Sequence, residues 1–170
     1  MPDRGSSSGP SGWLALAGWL VLSLVAGGLG GIASANAGEF YGTLTRPSWA
    51  PPAWLFGPVW TVLYIMMGIA AWLVWRERSY RPDSVRRRGL TLFVVQLVLN
   101  ALWTWLFFHW RSGAWAFAEI VVLWLVVIAT AAAFFQVRRT AGWMLVPYIL
   151  WLTYAGALTW AVWRSNPGVL

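Results

Sequence analysis

The 170-residue chain has no cysteine, no lysine, one histidine (His109) and five acidic residues. Lack of cysteine excludes disulfides and thiol chemistry. One imidazole and five carboxylates leave little material for a protein-built metal site. No Ser/His/Asp set, carboxylate pair or metal motif is present, so hydrolytic chemistry has no machinery. Charge itself is scarce. Twelve arginines and five acids make 10% of the residues, against about a quarter in a soluble domain. So few charges cannot hydrate the surface of a 19.0 kDa globule, and the apolar surface must face lipid.

What is abundant agrees. Hydrophobic residues make up 59% of the chain, sixteen of them tryptophan, and the mean hydropathy is +0.62. Five apolar runs approach the roughly 20 residues that a helix needs to cross the hydrocarbon core. They cover about Trp13–Ala33, Leu55–Trp75, Leu90–Trp110, Ala114–Phe135 and Trp143–Trp163. None shows the alternation of a barrel strand. The fold class is therefore all-α, an integral membrane bundle of five helices. It occupies residues 13–166 behind a polar tail, MPDRGSSSGPSG (1–12), that reads as disordered. Ala33-Ser34-Ala35 after the first run resembles a signal-peptide cleavage site, but that run is longer than the ~7–15 residues of a signal core. It reads as a retained span.

Arginine placement orients the bundle. The tail and the gaps after the second and fourth spans carry Arg4, Arg76, Arg78, Arg81, Arg86, Arg87, Arg88, Arg138 and Arg139; the other side has Arg46, Arg111 and Arg164. The positive-inside rule puts the N-terminus inside and the C-terminus outside. The run RRRG (86–89) is then a topology signal beside anionic headgroups and not a nucleic-acid patch. Arginine-only basicity points to a GC-rich bacterial genome and hence to a bacterial cell membrane.

Spacing singles out inward faces. Gln96, Asn100, Trp103 and Phe107 in the third span share one face. They read either as interhelical glue or as pocket lining. In AWAFAEIVVLW the fourth span aligns Trp115, Glu119 and Val122, and Glu119 is the one acid inside any span. The fifth aligns Pro147, Trp151, Ala155 and Leu158, with Pro147 expected in its first turn; the second aligns Trp60, Tyr64 and Met67 after Pro58. Several aromatic stripes facing one interior point to a flat, mostly apolar ligand. Gly27 and Gly31 in GGLGG have the GxxxG spacing that lets helices approach, within the bundle or across a dimer. His109 reads as an interfacial polar group, with haem ligation the lesser alternative.

Separated motifs in order, FYGTLTRPSWAPPAWLFGPVWTVLY, QLVLNALW with FF, VPYILWLTYA and VWRSN, are similar to those of the TspO/MBR family of tryptophan-rich sensory and translocator proteins. The resemblance covers about Phe40 to Asn166, and helix 1 joins it only through its glycines. It implies a usually dimeric five-helix bundle with a pocket beneath the loop between the first two spans. Carried over by motif, the ligand-binding residues are Tyr41, Pro51, Trp60, Tyr64, Asn100, Trp103, Trp115, Ala118, Trp151, Ala155 and Leu158. Arg46 is the cation available to a porphyrin propionate. The implied ligand is a porphyrin or haem-pathway tetrapyrrole such as protoporphyrin IX, with no intrinsic cofactor and no metal. Implied partners are that ligand, the bilayer and a second copy of the chain. Sterol binding is disfavoured, because ALTWAVWRSN has Trp160 and Ala161 where the sterol pattern has tyrosines.

The leading expectation is a receptor or sensor that binds tetrapyrroles and regulates or traffics them. Light-dependent porphyrin breakdown, with Trp60 and Trp151 as the reactive tryptophans, is the enzymatic alternative. A transporter of tetrapyrroles or sterols is the third, disfavoured by the lack of inverted repeats.

Overall fold

The computed structural model describes residues 10–77 and 83–170. Most of the expected polar tail lies outside them, as do Arg4, Arg78 and Arg81. Six helices follow one another: α1 (Pro10–Ala33), α2 (Ala37–Thr43), α3 (Phe56–Arg76), α4 (Asp83–Thr104), α5 (Gly113–Val137) and α6 (Arg139–Ser165). All but α2 are long and apolar enough to span a membrane. No strand occurs among the described residues. The protein is an integral membrane bundle of five spans, all-α as its apolar runs require.

The five spans close a ring in the order α1–α3–α6–α5–α4 and back to α1. At the end carrying Arg76, Arg86–Arg88 and Arg138–Arg139 the ring is filled. Met67, Phe93, Val127, Phe134 and Tyr148 are fully buried there, and Phe93 stacks on Phe134 with ring centroids 6.1 Å apart. Lipid is as apolar as leucine, so close fit and buried polar bonds hold such a ring together. Gly68 supplies one close fit. A Cβ there would lie 3.1 Å from the Leu20 Cα and the Trp19 carbonyl, so α1 and α3 meet through the bare backbone of α3. The indole N–H of Trp72 donates to the Gly12 carbonyl at 3.0 Å and pins the start of α1 to α3. Residues 10–12 belong to α1.

Three further boundaries differ from the expectation, each for a local reason. First, α4 begins at Asp83 and takes in the arginine run. Arginine is a good helix former, Asp83 suits the positive helix start, and Arg86 pairs with Asp83 at 2.9 Å. Second, α6 restarts one residue after α5. Arg138 alone is extended (φ −149°, ψ 114°), and its guanidinium reaches Glu77 at 3.3 Å to tie the turn to the end of α3. Pro147 consequently lies in the interior of α6 and not in its first turn, where it removes the hydrogen bond that the Trp143 carbonyl would accept. Third, α4 ends in a wide π turn, Trp105–His109. The Trp110 N–H reaches back to the Trp105 carbonyl at 2.8 Å and the Ser112 N–H to that of Leu106 at 2.9 Å. Arg111 completes the turn at φ +52°, its guanidinium 4.8 Å from the Phe40 ring centroid.

The α5–α6 turn yields a test. A Cβ on Gly142 would fall 2.4 Å from Phe135 Cγ, whereas one on Gly31 would meet nothing within 4 Å. Gly142→Ala should cost about 1–3 kcal/mol by overpacking and lower the thermal midpoint in detergent. Gly31→Ala should leave that midpoint unchanged or raise it.

Candidate functional site

At the opposite end the ring is hollow. Residues 34–55 cross that end as a cover: the short helix α2, a strap (residues 44–52) and a 3-10 turn, Ala53–Leu55, that leads into α3. Beneath it lies a cavity of about 500 Å³, within the range of roughly 300–1,000 Å³ typical of ligand pockets. One wall is aromatic: Phe56 and Trp60 from α3, Trp103, Phe107 and Phe108 from the end of α4, and Trp151 from α6. Facing it, α1 contributes Gly27, Gly28, Gly30 and Gly31, while Ala155, Leu158, Thr159 and Val162 of α6 complete the apolar lining.

The floor is polar. Tyr64 donates its hydroxyl proton to Asn100 Oδ1, and Asn100 Nδ2 donates to the Tyr148 hydroxyl at 2.8 Å. One amide of α4 thus reaches across the ring to both α3 and α6. Below it, Gln96 Nε2 lies 3.6 Å from Met67 Sδ. Among the described residues, Gln96 Oε1, both Glu119 carboxyl oxygens and the indole nitrogens of Trp103 and Trp151 are buried without a partner. Gly27 makes the floor possible, since a Cβ there would lie 2.6 Å from the Tyr64 ring.

The strap is held by its carbonyls. Pro47, Pro51 and Pro52 have no N–H to donate, so the anchors come as donors from elsewhere. Tyr41 donates to the Pro51 carbonyl at 3.2 Å and Tyr154 to that of Trp49 at 3.0 Å. Asn166, beyond the end of α6, makes a two-way clip. It accepts the Thr45 N–H at 2.8 Å and donates to the carbonyls of Thr45 at 2.9 Å and Val162 at 2.7 Å. Arg46 lies 4.6 Å above the Tyr41 ring centroid. Burial pushes the Tyr41 phenol above its ordinary range, and Arg46 opposes that shift.

Of the residues expected at the site, Tyr41, Trp60, Tyr64, Asn100, Trp103, Trp151, Ala155 and Leu158 line the cavity. Pro51 is buried behind Tyr41 and takes part through its carbonyl. Arg46 is exposed at the rim. Trp115 and Ala118 do not line the cavity: both are exposed, Trp115 by 69%. The buried face of α5 is Ala116, Ile120, Leu123 and Val127, one residue out of phase with the expected stripe. That span is apolar all round, so its pattern cannot choose a face. Pro147 is likewise exposed, and His109 sits outside the cavity between Trp105 and Trp110. No cluster of potential metal ligands occurs among the described residues. Sequence reasoning missed Gly28, Gly38 and Gly57, which face the cavity as open space; an absent side chain leaves no stripe to read.

Comparison with known proteins places this geometry. The TspO/MBR family model matches residues 19–164, so the match includes most of the first span and is longer than the motifs alone indicated. "Protein CrtK" of Rhodobacter capsulatus is 41% identical over 150 residues, 88% of this chain and 91% of the relative. "Tryptophan-rich protein TspO" of Chlorobaculum tepidum is 40% identical over 131 residues, 77% and 82% of the two chains. The human "Translocator protein" is 38% identical over 131 residues, 76% of each.

The bridge across the floor can be tested by itself. Asn100→Leu leaves two buried phenols unpaired, at about 1–3 kcal/mol for each unmatched group. The thermal midpoint in detergent should fall clearly; an unchanged midpoint would mean that the bridge does not hold α3 to α6.

Proposed function

The chain belongs to the TspO/MBR family, and we propose that it binds a porphyrin, of the protoporphyrin IX type, in the cavity beneath the strap. The observation that carries this reading is the make-up of the lining: flat rings on α3, α4 and α6 together with bare glycine on α1. Such a slot suits a planar macrocycle, which offers an aromatic face to Trp60, Trp103 and Trp151 and needs backbone-close space on its other side. The acidic substituents would sit under the strap, where Arg46 over Tyr41 is the nearby cation. The unpartnered indole N–H groups of Trp103 and Trp151 add donors that small shifts on binding could bring to an acceptor. The relatives' names, sensory and translocator protein, accord with a role in sensing or trafficking such a ligand. In this reading the arginine-rich end lies inside a bacterial cell membrane and the strap outside.

Trp60 and Trp151 both line the cavity and would touch the macrocycle, which keeps photo-oxidative breakdown as a second reading. Illumination separates the two. Porphyrin absorbance that decays no faster in the complex than beside free tryptophan rules out the enzymatic reading.

Binding is tested by quenching of tryptophan fluorescence with protoporphyrin IX in detergent. Trp60→Ala and Trp151→Ala should each weaken binding by about ten-fold, about 1.4 kcal/mol. Gly31→Leu should fill the slot and weaken binding as much while the thermal midpoint holds. Unchanged affinity in all three variants would remove the pocket from consideration.

A further inference from the structure

We infer that the cavity exchanges its ligand sideways with the bilayer, through a mouth between α1 and α3, and not upward through the strap. The opening is a property of this chain; its meaning for a porphyrin rests on the reading above.

Two independent features carry the inference. The first is where the lining is exposed. Its exposed members belong to α1, α2, the 3-10 turn and the beginning of α3, and include Leu24, Gly28, Gly31, Gly38, Ala53, Gly57 and Thr61. The lining from α4 and α6 is buried or half-buried. A Cβ on Gly28, Gly31, Gly38 or Gly57 would meet nothing within 4 Å, so these glycines leave a gap and do not seat a neighbouring helix. Leu24 lies nine residues before the end of α1, which at 1.5 Å per residue is about 14 Å below the helix end. At that depth the mouth faces acyl chains, not headgroups.

The second feature is that the water-facing side is tied shut. Three side chains hold the strap by its carbonyls, and Asn166 adds an accepted N–H to make a two-way clip. Release through the strap would break these bonds together. Release through the mouth breaks none of them. The occupant is thus a membrane-partitioned ring system that slides in edgewise, its acidic groups last to settle beneath Arg46.

Absence of cysteine makes the test clean. Ala155→Cys places a single thiol on the buried lining. In liposomes at alkaline pH, a lipid-dissolving maleimide should modify it at least ten-fold faster than a membrane-impermeant sulfonated maleimide. Adding Gly31→Phe and Thr61→Phe should slow the lipid-borne reaction at least ten-fold, with Gly28→Leu as the alternative plug if that protein folds poorly. Asn166→Asp, which gives up both amide N–H donations of the clip, should leave the lipid-borne rate unchanged. A sulfonated reagent that reacts as fast, or a rate that ignores the plugs and rises on unclipping, overturns the mouth. Stopped-flow transfer of protoporphyrin IX from vesicles should follow the same order. If the thiol behaves as expected and the porphyrin fails to bind, the mouth stands and the porphyrin reading falls.

Discussion

The structure turns on one amide. Asn100 accepts from Tyr64 on α3 and donates to Tyr148 on α6, and so ties opposite parts of the ring through a side chain on α4. Inside a bilayer water does not compete for these groups, and an unmatched polar atom is costly. The bridge also partitions the interior. Toward the arginines, aromatic and aliphatic side chains fill the ring; toward the strap, α1, α3, α4 and α6 enclose empty space. The glycines of α1 are compatible with both demands, because Gly27 admits the Tyr64 ring while Gly28 and Gly31 leave the slot open.

The strap follows a related rule from the opposite side. A proline-rich segment is stiff and loses little entropy on ordering, but it has few N–H groups to offer. Its carbonyls therefore have to be met by donors on Tyr41, Tyr154 and Asn166. Two of these belong to α6 or its C-cap, so the strap is fixed to the helix that carries Trp151. The strap and α6 are thereby joined at the covered end of the cavity, and Ser34 ties the other end of the cover to α1.

How much of this could be read from sequence depended on the signal available. The spans were plain because apolar length leaves few alternatives in a chain with so little charge. The faces of α3 and α4 were legible where a polar or mixed residue broke the symmetry, as Asn100 and Gln96 do in α4. On α5, uniformly apolar, phase could not be read, and Trp115 and Ala118 were placed a step away from the buried face. Pro147 looked like part of a first turn because proline favours that position, but α6 begins at Arg139, about one turn before the expected Trp143. Helix α2, the wide turn after Thr104 and the Asn166 clip depend on contacts between residues far apart in sequence, which local patterns do not carry.

The wide turn at the end of α4 has a consequence for how such a site can change. The turn holds one residue more than ordinary helix, and Phe107 and Phe108 within it both reach the cavity. Substitution can alter the size of either ring but not the length of the turn. Deleting one codon would restore ordinary winding and leave one residue fewer at that end of the wall. In this bundle the length of a turn is therefore itself a heritable determinant of cavity shape, and it changes by an indel where a comparison of side chains would overlook it.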